Sequence, residues 1–218
     1  MLVHPYDSAM SEQEWRDWIA SGSRFGILTV AGITGEAPIM VPTHFTLLET
    51  EVVIHLHKAN SAISAMRTGG QVSFMVMGDY AFIPGQWRAK DPDNLQDGVP
   101  TSYYAAVQFA CEPRVIDDPE SIVEILKMVM NDFQPDGGYA EVSETEAPYG
   151  PLVNSIRGVR MKILSVDAKF KYDDHKSIEF REAMIARLLE RNQGLDVGAA
   201  QQQRRRLNLL GEWNREAK

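Results

Sequence analysis

The chain has 218 residues, 44% hydrophobic and 24% charged, with 30 acidic against 22 basic side chains, a net charge of -8 and a pI near 5.2. That is enough apolar material for one large domain, or one domain with an appendage, and the acidic balance argues against non-specific DNA binding by the whole surface. The lone cysteine, Cys111, excludes an intrachain disulfide, and no apolar run approaches the roughly 18 residues a membrane-spanning helix needs.

The first residues, with His4, Asp7, Glu12 and Glu14, lack the basic-then-apolar pattern of a signal peptide, so a cytoplasmic protein is expected. Ser11 followed by Glu14 forms a capping box, and Trp15, Trp18 and Ile19 share one helical face, which predicts a helix ending near Gly22. Phe25 to Ala31 reads as a strand with its turn at 32–35. Ala37 to Phe45 reads as the next, bent or at an edge, because Pro38 and Pro42 cannot donate ladder hydrogen bonds. Glu51 to His57 is a third strand. Gln71 to Met77 and Ala81 to Pro84 form a fourth, broken at Gly78-Asp79. After a loop from Lys90 to Pro100, Tyr103 to Val115 is a further strand, and its Cys111 reads as a buried, inert thiol.

Beyond Asp117-Asp118-Pro119 the period changes. Ile122, Ile125, Leu126, Val129 and Met130 recur at helical spacing, with Pro119 in the first turn. Gln134 to Pro151 reads as a polar loop outside any core. Val159 to Val166 alternates as a strand, and Ile178 to Arg191 is a helix with Met184, Ile185 and Leu188 inside. Residues 1–192 are taken as one domain. Residues 193–218 form a Gln- and Arg-rich tail with Arg204-Arg205-Arg206, either a helix that docks on a partner or a disordered segment. Six or seven short strands with few helices, and no βαβ alternation, predict a mainly β fold with some α, a closed or partly closed barrel.

The stretch with most chemical content is Val52 to Ser61. A strand carrying His55 and His57 ends in the polar turn Lys58-Ala59-Asn60-Ser61, and residues 63–70 then have room for one or two helical turns. A basic, hydroxyl-bearing turn before a helix can cradle a phosphate through Lys58, Ser61 and backbone N–H groups. A solvent-facing connection would look the same locally. Two histidines without a nearby carboxylate or thiol make a poor metal site, so a partly buried pair is the expectation there. Tyr80, Phe82, Trp87, Tyr103, Tyr104 and Phe109 serve either as core or as walls for a flat ligand. Arg88, Lys169 and Lys171 add cationic groups or a solvated strand face. Phosphate-loop, dinucleotide and H-E-x-x-H signatures are absent from the sequence, and no serine hydrolase constellation stands out.

Four ordered blocks resemble the PaiB-type family of FMN-binding negative transcriptional regulators, of the flavin-binding split-barrel superfamily that also holds pyridoxamine phosphate oxidases. They are VIHLHKANSAISAM (Val53 to Met66), MGDYAFIPGQWR (Met77 to Arg88), VPTSYYAAVQFACEPRVIDD (Val99 to Asp118) and SIRGVRMKILSVDAKFKYDDHKS (Ser155 to Ser177). The chain departs from the family where Ser102-Tyr103 stands for Trp-Asn and Asp173-Asp174-His175 for Ser-Gln-Asn. Two carboxylates in place of neutral amides would repel a nearby phosphate or pyrimidine carbonyl.

The resemblance implies an FMN-binding split β-barrel with peripheral helices, a homodimer with FMN at the subunit interface. The phosphate would lie on His57, Lys58, Ala59, Asn60 and Ser61. The ring would rest against backbone from Met40 through Val41 and Pro42 to Thr43, with Trp87, Arg88, Thr101, Tyr103 and Lys169 also in the set. Three functions follow: a flavin-based redox sensor of the PaiB type, an FMN-dependent oxidoreductase with His44 as a general acid, or a dimer without flavin. Direct nucleic-acid binding has little in the sequence to support it beyond Arg204 to Arg206, since nothing resembles a helix-turn-helix with a basic recognition helix.

Overall fold

Local sequence signals set most element boundaries. Ser11 Oγ accepts from the Glu14 N–H at 3.2 Å to open α1 (Glu12–Ser21), and Trp15, Trp18 and Ile19 are its buried face. The Glu14 carboxylate accepts from Met10 N–H at 2.6 Å rather than from the cap residue itself, so the capping box is shifted by one residue. Asp118 caps α3 (Pro119–Phe133) and Ser177 caps α5 (Ile178–Arg191), each accepting from the N–H three residues on. Asn192 ends α5 in the left-handed conformation with φ +46. In this computed structural model the described residues are 1–22, 24–32, 36–91 and 93–211, so most of the turn expected at 32–35 lies outside them.

Among the described residues seven strands form one sheet in the order β2-β1-β5-β6-β7-β4-β3. They are β1 (Phe25–Val30), β2 (Ile39–His44), β3 (Thr46–Leu47), β4 (Glu51–His57), β5 (Val72–Ile83), β6 (Thr101–Ile116) and β7 (Ile156–Lys171). The short α2 (Ser61–Arg67) joins β4 to β5, and α4 (Gly150–Val153) precedes β7. The architecture is an antiparallel seven-stranded sheet with helices.

The chain divides into two compact units. One comprises Met1–Gly22, Met77–Val107 and Asp167–Lys218; the other comprises Ser23–Val76 and Gln108–Val166. The second unit holds β1 to β4, α2 to α4 and parts of the three long strands. Strand alternation sorts its faces. Leu28, Val30, Phe74 and Val76 are buried, with Phe45 edge-on to Phe74 at 5.0 Å, while Phe25, Ile27, Pro42, Met40 and Met75 point the other way. Gly26 sits on the packed face. A Cβ there would lie 2.5 Å from the Phe74 ring and 2.8 Å from the Met75 carbonyl.

Three expectations need correction. The break at Gly78-Asp79 is a kink inside one continuous strand. Asp79 takes φ +53, a conformation Asp tolerates better than most residues, and its carboxylate accepts from Trp18 Nε1 at 3.0 Å. The segment 134–151 is not wholly outside the core, because Val142 is buried against Ile122, Leu126 and Val153. Finally, β7 is twice the length its alternating stretch suggested, since it continues to Lys171 past residues that read as polar.

In the first unit, α6 (Asp196–Leu210) occupies much of the segment expected as a tail. It packs on α5, and Ala199, Ala200, Gln203, Arg206 and Leu207 are buried. Residues 212–218 lie outside the described set.

Candidate functional site

The phosphate-cradle residues stand together in the second unit. β4 pairs with β7 so that His57 faces Ile156, and the ladder runs one bond further, Lys58 N–H to the Ser155 carbonyl at 2.9 Å. The chain then turns tightly. Asn60 N–H donates to the His57 carbonyl at 2.9 Å, the Ala59 N–H donates to His57 Nδ1 at 3.2 Å, and Asn60 Oδ1 caps α2 by accepting from Ala62 N–H at 3.0 Å. Ser61 is the first residue of α2, and Ser64 Oγ donates to its carbonyl at 2.9 Å. Asn is selected at position 60 because its short side chain satisfies a helix-start N–H that would otherwise have no partner.

Lys58, Ala59, Asn60, Ile63, Ser64, Arg67 and Arg157 line an open concavity of about 400 Å³. The sequence reading missed both arginines. Arg67 lies on the last turn of α2, and Arg157 lies on β7 opposite Leu56. Both reach one carboxylate, Asp117, at 2.5 and 2.6 Å, while Lys58 Nζ meets only the Asn154 carbonyl at 3.1 Å. Three cations thus line the concavity, and two of them are paired with one carboxylate. The surplus of two positive charges matches the charge of a phosphate monoester near neutral pH. Arginine on a partly occupied carboxylate can also present free N–H groups to a second oxyanion. These residues fit a flavin phosphate.

Met40 to Thr43 lie on β2, the sheet edge, where alternate backbone N–H and C=O groups have no strand partner on the outer side. Thr43 is buried, and its hydroxyl donates to the His44 carbonyl at 3.1 Å. The histidine pair differs from the expected one. His55 packs edge-on to His44 at 5.0 Å, and His44 meets Phe133 at 5.4 Å, whereas His57 is exposed on its turn. Burial, reinforced by His44, lowers the His55 pKa to about 4, and its Nδ1 has no hydrogen-bond partner. His55 is neutral at physiological pH. Among the described residues no group of three or more His, Cys, Asp or Glu side chains could hold a metal ion.

The remaining candidates fall in the first unit, where all have partners. Tyr103 is fully buried and donates its hydroxyl to Asp173 at 2.9 Å, while Arg88 forms an ion pair with the same carboxylate oxygen. Burial pushes the Tyr103 phenol up, so it stays a hydrogen-bond donor. Lys169 donates to the Leu2 carbonyl at 2.9 Å and stands 3.9 Å from Asp7. Trp87 is held by α5: its carbonyl accepts from Arg187 at 2.6 Å, and the Arg191 guanidinium lies 4.7 Å from its ring centre. Thr101 accepts from Lys171 at 3.0 Å.

The Asp173-Asp174 departure has a structural explanation here. Asp173 is neutralised by Arg88. Asp174, fully buried, accepts from Arg181 at 2.8 Å and from Arg206 Nε at 2.7 Å. Arg206 reaches on to Glu14 at 2.8 Å and to the Ser8 carbonyl at 3.0 Å. The two carboxylates are interior counter-ions, Asp173 for Arg88 and Asp174 for Arg181 of α5 and Arg206 of α6. Arg88 and Arg206 are 85 and 32 residues from these partners, so no local signal pointed to the pairing.

A family model described as "Putative FMN-binding domain" matches residues 1–165, and the chain belongs to that family. FMN is the cofactor that membership assigns. The match ends before Asp173-Asp174 and before α5 and α6.

Among solved structures the fold is shared with conserved hypothetical protein Rv2991 from Mycobacterium tuberculosis, 21% identical over 78% of this chain and 90% of that one, with a TM-score of 0.54. It is also shared with the FAD and heme binding protein from Mycobacterium smegmatis, 12% identical over 75% and 73%, TM-score 0.58. The flavocytochrome Anf3 from Azotobacter vinelandii is 13% identical over 75% and 73%, TM-score 0.55. No curated protein matches the chain in sequence. Among the described residues no helix is long and apolar enough to cross a membrane.

Proposed function

We propose that this chain is a homodimeric FMN protein that works through the redox state of its flavin, a redox sensor resembling the PaiB-type regulators. The observation that carries the reading is the concavity lined by Lys58, Arg67 and Arg157, in which the two arginines share the carboxylate of Asp117 and Lys58 has no acidic partner within 4.0 Å among the described residues, in a chain of an FMN-binding family. The phosphate sits among those cations and Asn60. The edge backbone of Met40 to Thr43 supplies donors and acceptors to the ring. Trp87, Arg88, Tyr103 and Lys169 belong to the fold of the first unit instead, because each already has its partner there. Bound FMN supplies one- and two-electron redox chemistry that no side chain offers.

The dimer reading is supported by the outward face of β1, β2 and β5, where Phe25, Ile27, Pro42, Met40 and Met75 form a contiguous apolar strip; Phe25 is 53% and Met40 62% exposed. Exposed apolar area of this kind on a sheet marks an interaction surface.

A second reading, an FMN-dependent oxidoreductase acting on a small substrate, is favoured by the state of Arg204 to Arg206. Arg204 pairs with Glu182, and Arg205 and Arg206 with Glu14, so the one basic run that suggested DNA contact is occupied within the protein.

Titration of FMN by fluorescence quenching, on wild type, Lys58→Ala and Arg157→Gln, tests the cradle. Loss of one charge-assisted contact should weaken FMN by roughly ten- to a hundred-fold. Riboflavin, which lacks the phosphate, should bind all three proteins alike. Equal FMN affinity across them would overturn the assignment. Reoxidation of the photoreduced protein by candidate acceptors, beside a gel shift at two salt concentrations, separates enzyme from regulator.

A further inference from the structure

We infer that Lys171, Thr101 and Tyr104 form a binding site for a small monocarboxylate, distinct from the Lys58 concavity. The argument begins with charge pairing in the first unit. Three cations are neighbours there, Arg88, Lys169 and Lys171, and two carboxylates face them, Asp173 and Asp7. Arg88 takes Asp173, and Lys169 stands with Asp7. Lys171 shares the field of Asp7 with Lys169, so three cations face two carboxylates. Among the described residues no carboxylate lies within 4.0 Å of its ammonium, whose hydrogen bond goes to the Thr101 hydroxyl at 3.0 Å.

A half-buried ammonium that shares a distant carboxylate and touches none is incompletely compensated. Burial above all, helped by Lys169 and Arg88 and opposed by Asp7, lowers the Lys171 pKa, which agrees with an incompletely balanced site. The Lys171 nitrogen sits 5.9 Å from the centre of the Tyr104 ring, and Lys169 lies 5.8 Å from the same ring. The ring compensates part of the charge through its π face and none of the missing hydrogen bonds.

The donor geometry selects the ligand. An ammonium has three N–H groups, and Thr101 uses one of them. Because the Thr101 oxygen is the acceptor in that bond, its own proton is free to point outward. Two adjacent donors, one charged and one neutral, match the two oxygens of a carboxylate, and a monoanion balances the single surplus charge. Thr101, Tyr104 and Lys171 are all partly exposed, so the site can be reached from solvent. On the oxidoreductase reading, this site would bind the substrate's acid group. The inference itself does not depend on FMN.

The experiment uses benzoate as probe on the FMN-loaded full chain, followed by saturation-transfer NMR at fixed ionic strength. Saturable binding in the millimolar range or tighter is expected. Lys171→Gln should weaken it about ten-fold or more, and Lys171→Arg should restore most of it. Lys176→Gln should leave it unchanged. Thermal melting of each variant confirms that it is folded. Absence of saturable binding in wild type, or the same isotherm in Lys171→Gln, would overturn the site. Repeating the titration without FMN separates the two readings. Benzoate binding that survives there stands whether or not the Lys58 cradle holds FMN.

Discussion

Replacing Arg206 with Met probes the polar interior of the first unit. The guanidinium is 1% exposed and donates to both Glu14 oxygens at 2.8 and 2.9 Å, to Asp174 at 2.7 Å through Nε, and to the Ser8 carbonyl at 3.0 Å. Methionine fills much of the volume and keeps an apolar contact to Phe170, over whose ring Arg206 lies at 5.4 Å. It returns none of the hydrogen bonds. Glu14 would retain Arg205 and the Met10 N–H, and Asp174 would retain Arg181, so neither carboxylate is stranded completely. The expected loss is that of removing one partner from a buried ion network, about 3–5 kcal/mol. For a domain of this size that corresponds to a fall in Tm of roughly 6–20 °C.

Denaturant unfolding followed by tryptophan fluorescence gives the number directly. Arg204→Ala serves as the comparison, because its pair with Glu182 is solvent-exposed on both sides and should be worth about 0–1 kcal/mol. Adding Glu14→Gln to Arg206→Met should cost less than the sum of the two single changes, since the first leaves less charge to strand. If Arg206→Met unfolds within about 1 kcal/mol of wild type, the network does not hold α6 in place and the reasoning fails.

The other predictions concern single groups. The His55 pKa of about 4 lies below its unfolded value near 6.5, so the unfolded chain binds the extra proton between those values and stability falls as pH drops from 6.5 toward 4. The effect is at most about 3 kcal/mol, and His55→Phe should flatten that part of a stability-against-pH curve; an unchanged slope would count against the buried neutral imidazole. Gly26→Ala should destabilise by about 1–3 kcal/mol, because the new methyl meets both the Phe74 ring and a backbone carbonyl that cannot move away; wild-type stability in that variant would show that the strands relax freely. Burial pushes the Cys111 thiol up to about 12, so a thiol-specific reagent should label the chain only after unfolding, and rapid labelling of the native protein would contradict its place in the β6 core.

Much of this protein was legible from its sequence because the signals involved are local. Capping residues, two alternating strand faces and the helical spacing after Pro119 each act within a few residues, and they located α1, α3, α5 and most strands. The turn from Lys58 to Ser61 was legible for the same reason, since strand end, polar turn and helix cap are consecutive. What remained hidden depends on distance. Arg67 and Arg157 join Lys58 only because β4 pairs with β7 and α2 ends near Asp117. Lys171 touches no carboxylate among the described residues because Arg88 holds Asp173 and Lys169 stands nearer to Asp7.

The C-terminal segment shows the same division most clearly. Gln- and Arg-rich composition speaks for solvent, and nothing local contradicts it. Yet Arg206 is buried because Asp174 and Glu14 stand ready 32 and 192 residues away, and Gln203 is buried with its amide donating to the Tyr172 carbonyl. Composition and periodicity alone determined that this is a mainly β fold with capped helices and a basic turn after its third strong strand. Tertiary structure decided which charges are spent inside the fold and which are left for a ligand, since a charge is free or neutralised according to what folding brings within a few ångströms of it, whatever its neighbours in sequence.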